Sequence, residues 1–171
     1  MNDASPSTDE IRTERLLLRR ATMDDLPAVH AIMRDPEVME YWSTLPHATL
    51  AESEEWLRSM VDADRDVSDD FIIERDGQVI GKVGCWKLPE IGYHLARDQW
   101  GQGIASEALA AYLDHRRAIG SPKRLIADVD PGNAPSIKLL ERHGFVETHR
   151  AKDTYLIAGE SFDSVYLALD L

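Results

Sequence analysis

An α/β domain built on a mixed, mostly antiparallel sheet is expected, and three patterns predict it. Amphipathic helical segments come first, within 22–33 and 49–61. Asp76-Gly77 then sits between two apolar runs, a strong signal for an antiparallel hairpin. A single strand–helix–strand crossover follows between residues 90 and 129, before closing strands near the C-terminus.

Each element has a local reason. Leu16-Leu17-Leu18 between arginines predicts a strand. Thr22 ahead of Asp24 and Asp25 is an N-cap signal for a helix carrying Leu26, Val29, Ile32 and Met33. Thr49 with Glu52 forms a capping box before Trp56, Leu57, Met60 and Val61. Strands over 71–75 and 78–86 flank the Asp-Gly turn, and 90–96 supplies the next strand. A helix from about Gly103 to Ile119 stops at Gly120, whose missing β-carbon suits a left-handed C-terminal residue. Leu125–Val129 reads as a strand and Asn133–His143 as a helix closed by Gly144. Phe145-Val146 and Ser164–Leu169 read as closing strands, with a last hairpin near Tyr155–Phe162.

With 171 residues, 43% hydrophobic and 29% charged, one folded domain over 10–171 is expected after a polar, disordered lead-in over 1–9. No apolar run approaches the ~20 residues of a membrane span, and from the polar N-terminus no signal peptide is expected. The single cysteine, Cys85, fits a reducing compartment and a small buried hydrophobe, so a cytoplasmic location is expected. Acidic residues outnumber basic ones 31 to 19, a formal charge of −12, which argues against a nucleic-acid partner and favours cationic ones. The histidines at 30, 47, 94, 115, 143 and 149 lack metal-ligand spacing, so no metal is expected. A monomer or a homodimer is expected.

The most informative segment is Glu90–Ala96, then Arg97-Asp98-Gln99, then Trp100-Gly101-Gln102-Gly103-Ile104-Ala105-Ser106. It reads as a strand, a glycine turn and a helix start. Uncapped N–H groups at a helix start attract phosphate, and glycines let the backbone approach a ligand closely. Gly101-x-Gly103-x-x-Ser106 partly matches a dinucleotide fingerprint, but the third glycine is missing and only one parallel crossover is available. No Lys-Ser/Thr pair follows, which excludes a Walker-type loop.

The segment resembles the acyl-CoA diphosphate motif of the GNAT superfamily of N-acetyltransferases, Arg/Gln-x-x-Gly-x-Gly/Ala, here Trp100-Gly101-Gln102-Gly103-Ile104-Ala105. Trp100 in place of Arg or Gln is similar to the RimJ/RimL-type subgroup, which acetylates N-terminal α-amines of ribosomal proteins. Thr13–Arg19, Ile91-Gly92-Tyr93, Asn133-x-x-Ser136 and His143-Gly144-Phe145 extend the likeness over nearly the whole chain. The resemblance implies a sheet splayed in its middle with helices on both faces. It also implies acetyl-CoA as acyl donor. The pantetheine arm would enter the splay against Leu95 and Ala96, and the diphosphate would rest on the turn from Gly101 through Gln102, Gly103, Ile104 and Ala105 to Ser106. Asn133 matches a pantetheine contact. The acceptor is expected to be a protein or peptide N-terminal α-amine, attacking the thioester directly. A small-molecule amine and a non-catalytic acyl-CoA sensor are the alternatives.

Acetyl transfer needs a neutral amine, a polarised thioester and a stabilised leaving thiolate. An α-amine of pKa near 8 is roughly a tenth neutral at pH 7, so a weak base suffices. Strand alternation places Glu90 and His94 on one face, with Glu90 the candidate base acting through water and His94 its rival. Many superfamily members carry a tyrosine where this chain has Leu140, whereas RimJ/RimL-type members keep a serine at the position of Ser136, so the resemblance implies Ser136 as the group at the leaving sulfur, with Tyr155 as fallback. Tyr41 and Trp42, in the loop joining the first two helices, and Tyr155, in the last hairpin, are expected to contact the acceptor.

Overall fold

A computed structural model describes residues 9–171. The expected lead-in lies outside the described residues except for Asp9, which is exposed and ion-paired with Arg65. The strands are β1 (Glu10–Arg12), β2 (Leu17–Arg19), β3 (Asp69–Arg75), β4 (Gln78–Lys87), β5 (Glu90–Leu95), β6 (Arg124–Val129), β7 (Val146–Ile157) and β8 (Glu160–Asp170). The helices are α1 (Leu26–Met33), α2 (Leu50–Val61), α3 (Ile104–Ile119) and α4 (Ala134–Arg142). One sheet of eight strands runs in the order β1-β2-β3-β4-β5-β6-β8-β7. Every neighbouring pair is antiparallel except β5–β6.

The local signals are realised as side-chain chemistry. Thr49 Oγ1 accepts from the Glu52 amide, and the Glu52 carboxylate accepts from the Thr49 amide at 2.8 Å, closing the box that starts α2. Asp76 and Gly77 both have positive φ, 51° and 77°, the geometry whose twist matches a two-residue hairpin. Residues 23–25 wind as a 3-10 turn ahead of α1, closed by a Thr22–Asp25 capping box.

Alternation sorts the two faces. Phe71 and Ile73 on β3 and Val83 and Cys85 on β4 pack toward Leu109, Tyr112 and Leu113 of α3 and Leu139 and Leu140 of α4. Ile72 faces the other way, onto Val29 and Met33 of α1 and Leu57 of α2. The sheet therefore separates two helix pairs. Buried charge stitches the layers: Tyr112 Oη donates to the Asp69 carbonyl at 3.0 Å, and Arg116 reaches Asp69 Oδ2 at 2.7 Å.

Two strands exceed the sequence expectation. β1 was not anticipated, because three residues offer no alternation to read. β7 runs unbroken for twelve residues, from Val146 to Ile157, joining the short strand expected at Phe145-Val146 to the hairpin expected near Tyr155–Phe162. It is the edge strand, and Glu147 to Arg150 are all exposed, so no apolar face marks it.

The feature that positions the site is the join between β5 and β6. They share one register point, Glu90 opposite Ile126, supported by a 3.0 Å bond from the Ile126 amide to the Pro89 carbonyl. Beyond it the ladder stops and the strands diverge.

Candidate active site

The floor of the site is the free edge of β5. The Ala96 amide donates to the Ile80 carbonyl on β4 at 2.7 Å. Backbone groups alternate sides along a strand, so those of Leu95 and Tyr93 turn toward the gap. Ala96 is a correction to the sequence reading: its amide is held by Ile80 and its carbonyl accepts from Gln99 at 3.0 Å. At Leu95 the carbonyl accepts from the Trp100 indole at 3.0 Å, leaving the amide as the donor facing the gap. Trp100 thus folds the turn back onto its own strand.

Gly101 and Gly103 both take left-handed φ, 71° and 75°. Gly103 is the N-cap of α3 and supplies no side chain, so the first-turn N–H groups are left uncapped beside exposed residues 101–103. The turn is held from behind. Arg15 donates to the Gln102 carbonyl at 2.8 Å while pairing with Glu107, and Arg75 holds the Gln102 side chain at 2.9 Å. In the first turn of α3, Ser106 Oγ lies 2.8 Å from Nε2 of His143, the C-cap of α4.

On the α3/α4 face, Tyr93 Oη lies 2.7 Å from Ser136 Oγ, linking β5 to the start of α4. Burial pushes the Tyr93 phenol up to about 12. Asn133 caps α4, its Oδ1 accepting from the Ser136 amide at 3.3 Å. Alternation had already placed Tyr93 opposite Glu90, but no local pattern could tell that Ser136 would meet it.

On the α1/α2 face, Glu90 stands half-buried where β5 and β6 still touch. Burial, then the nearby Asp128 carboxylate, push its pKa up. His94 is nearly sealed, edge-on to Trp42 with centroids 5.0 Å apart and beside Trp56. Burial, then Lys82, hold its pKa down at about 3. So depressed an imidazole is a poor proton acceptor at neutral pH.

Tyr41 and Tyr155 converge on the turn after β6. Tyr155 Oη donates to Asp130 Oδ2 at 3.3 Å, its ring stacks on Phe162 at 5.4 Å, and the exposed Tyr41 lies against Gly132. Trp42 does not join them. Its indole packs inward on the Met39 and Leu57 cluster and on His94, so it backs the loop.

Sequence comparison decides the family. The profile of the acetyltransferase (GNAT) domain matches residues 15–146. The chain belongs to the GNAT acetyltransferases. The uncharacterized N-acetyltransferase p20 of Bacillus licheniformis is 30% identical over 168 residues, covering 93% of this chain and 94% of that protein. A ribosomal-protein-alanine N-acetyltransferase structure from Brucella melitensis is 29% identical, with TM-score 0.71 over 90% of this chain and 99% of its own. RimL, a ribosomal L7/L12 α-N-protein acetyltransferase in complex with coenzyme A, shares the fold at TM-score 0.84. It is 21% identical, with 95% of this chain and 98% of that one covered. This GNAT enzyme is thus an N-acetyltransferase, with an open mixed sheet of eight strands and four helices among the described residues.

Proposed function

We propose that this GNAT enzyme transfers the acetyl group of acetyl-CoA to the N-terminal α-amine of a protein or peptide. The observation that carries the reading is the gap that opens beyond Glu90 and Ile126, with an uncapped glycine turn at its mouth. A pantetheine arm fits such a gap as an added strand, its amides meeting the Leu95 and Tyr93 backbone. The diphosphate fits the α3 start, where Gly101 to Ser106 offer backbone donors and the helix dipole. The acceptor enters from the α1/α2 face, between Tyr41, Tyr155 and Glu90. Related enzymes acting on ribosomal proteins, together with the acidic balance of the chain, favour a protonated N-terminus over a neutral ligand.

Glu90, beside Asp128, accepts the proton that the α-ammonium loses, directly or through water. The neutral amine attacks the thioester carbon, the C–S bond breaks, and the sulfur departs as thiolate, while the second N–H proton of the adduct and the proton on Glu90 pass to solvent. Tyr93, held at about 12, keeps its proton more tightly than a thiol of ordinary pKa near 8.5. The Tyr93–Ser136 pair therefore stabilises the thiolate by donating hydrogen bonds, with Tyr93 donating to Ser136 and Ser136 to sulfur. Cys85 is buried with its thiol pushed up to about 12, an inert core residue in keeping with a cytoplasmic enzyme.

The reading is tested by thiol release from acetyl-CoA with peptides beginning in serine or alanine, set against polyamines and free amino acids. Turnover on the peptides is expected; turnover confined to small amines overturns it. Ser136→Ala is expected to lower kcat by roughly 10- to 100-fold, the worth of a hydrogen bond to a charged group, with little change in acetyl-CoA affinity. An unchanged kcat dismisses the hydroxyl. Gly103→Val forces a β-branched residue to φ 75° at the N-cap of α3. That strain is about 1–3 kcal/mol, and relieving it moves the donors. Calorimetry is expected to show coenzyme A binding weakened by more than about tenfold; full affinity in a folded variant counts against the turn.

A further inference from the structure

Ser106 is the first-turn residue of α3 whose hydroxyl has a titratable partner, His143, on another helix. In the neutral imidazole, one ring nitrogen donates and the other accepts. When Nε2 is the acceptor, the Ser106 hydroxyl spends its only hydrogen on it. When the ring is protonated, Nε2 must donate, and the Ser106 hydrogen is released to point elsewhere. The imidazolium therefore always leaves Ser106 free to donate toward the uncapped start of α3, whereas a neutral ring does so only as its Nε2–H tautomer.

Charges near His143 set which state the free enzyme holds. Partial burial, then the cations Arg142 at the end of its own helix and Arg117 on α3, push its pKa down. The free enzyme at neutral pH therefore carries a neutral ring. An anion at the α3 start opposes both arginines and favours the imidazolium.

We propose that His143 takes up a proton from solvent when the diphosphate of coenzyme A seats on α3, turning the Ser106 hydroxyl toward a phosphate oxygen. The relay runs from the imidazolium Nε2–H to Ser106 Oγ, and from the Ser106 O–H to phosphate. No covalent bond changes; one proton moves from water to the ring. Coenzyme binding then tightens as pH falls toward the range where His143 is already charged. This inference rests on the coenzyme site proposed above.

The test is calorimetry of coenzyme A binding at pH 7 in two buffers of different ionisation enthalpy, with wild type, His143→Gln and Ser106→Ala. The coenzyme's own phosphate ionisation is common to all three and cancels in the differences. Wild type is expected to take up a substantial fraction of a proton more than His143→Gln. Gln keeps a hydrogen bond to Ser106 but cannot titrate, and its affinity is expected to fall several-fold. Ser106→Ala is expected to lose most of the coupling, because the ring no longer reaches the phosphate. Equal proton uptake in wild type and His143→Gln, with binding retained, overturns the relay and leaves the coenzyme site standing. Absence of any binding by wild type overturns both.

Discussion

Lys82→Met is expected to destabilise the enzyme by about 3–5 kcal/mol at pH 7, because it leaves a buried carboxylate without its cation. Lys82 Nζ lies 2.7 Å from Asp70 Oδ2, and both side chains are almost wholly buried between the sheet and the α1/α2 layer. Methionine fills the lysine stem, so the loss is electrostatic and not a cavity. Burial already pushes the Asp70 pKa up even with Lys82 present. Without it, Asp70 folds in the protonated form, and holding a carboxyl protonated at pH 7 costs about 4 kcal/mol relative to an unfolded pKa near 3.9. The sign of the pH dependence follows. A group whose folded pKa is raised costs stability as pH climbs from its unfolded to its folded pKa, and the wild type shares that loss up to its own raised Asp70 pKa. The deficit relative to wild type is therefore flat below that pKa and grows by up to ~1.4 kcal/mol per pH unit above it. Urea unfolding at pH 5 and pH 7 reads this directly. Adding Asp70→Asn is expected to restore much of the loss at pH 7. An equal deficit at both pH values, or none, contradicts the electrostatic origin.

That ion pair was not legible in the sequence, and the reason is general to what local patterns carry. Turn chemistry and capping act within a few residues, so Asp76-Gly77, Thr49 with Glu52, Gly120 and the strand–glycine–helix segment were readable in advance. The family likeness ordered these segments into a splayed sheet, and the single register point between β5 and β6 is where the splay occurs. Alternation also sorted Glu90 from Tyr93 correctly. What it could not supply is the partner across space. Tyr93 meets Ser136 from 43 positions away, and Trp42 packs edge-on to His94 from the loop between α1 and α2. His94 illustrates the same limit: its strand position was right, yet its chemistry was decided by two tryptophans and a lysine from other elements. Ala96 failed for a narrower reason. Its side of the strand faces β4, and only the register of that ladder reveals which backbone groups remain free.

Glu90→Gln is expected to lower kcat with the best peptide acceptor by at least about 100-fold, the usual scale for loss of a positioned base, while leaving coenzyme A affinity within a few-fold. Glutamine keeps the size of the side chain and a hydrogen-bonding oxygen at the join of β5 and β6, so the change removes proton affinity and little else. The pH profile separates this role from a merely structural one. Burial and Asp128 push the Glu90 pKa above its ordinary value, so the wild-type rate climbs with pH as Glu90 loses its proton, in a range higher than a free glutamate would show. Above that range the remaining rise follows deprotonation of the amine itself, near pH 8 for an α-amine. In Glu90→Gln the acid limb is expected to disappear and the amine limb to persist, so the deficit is largest between the two and narrows at high pH, where the acceptor arrives already neutral. Asp128→Asn supplies the complementary arm. Removing that neighbouring negative charge lowers the Glu90 pKa and is expected to move the acid limb toward lower pH without abolishing turnover. A Glu90→Gln enzyme with wild-type kcat at pH 7, or one retaining the acid limb, shows that the amine loses its proton elsewhere.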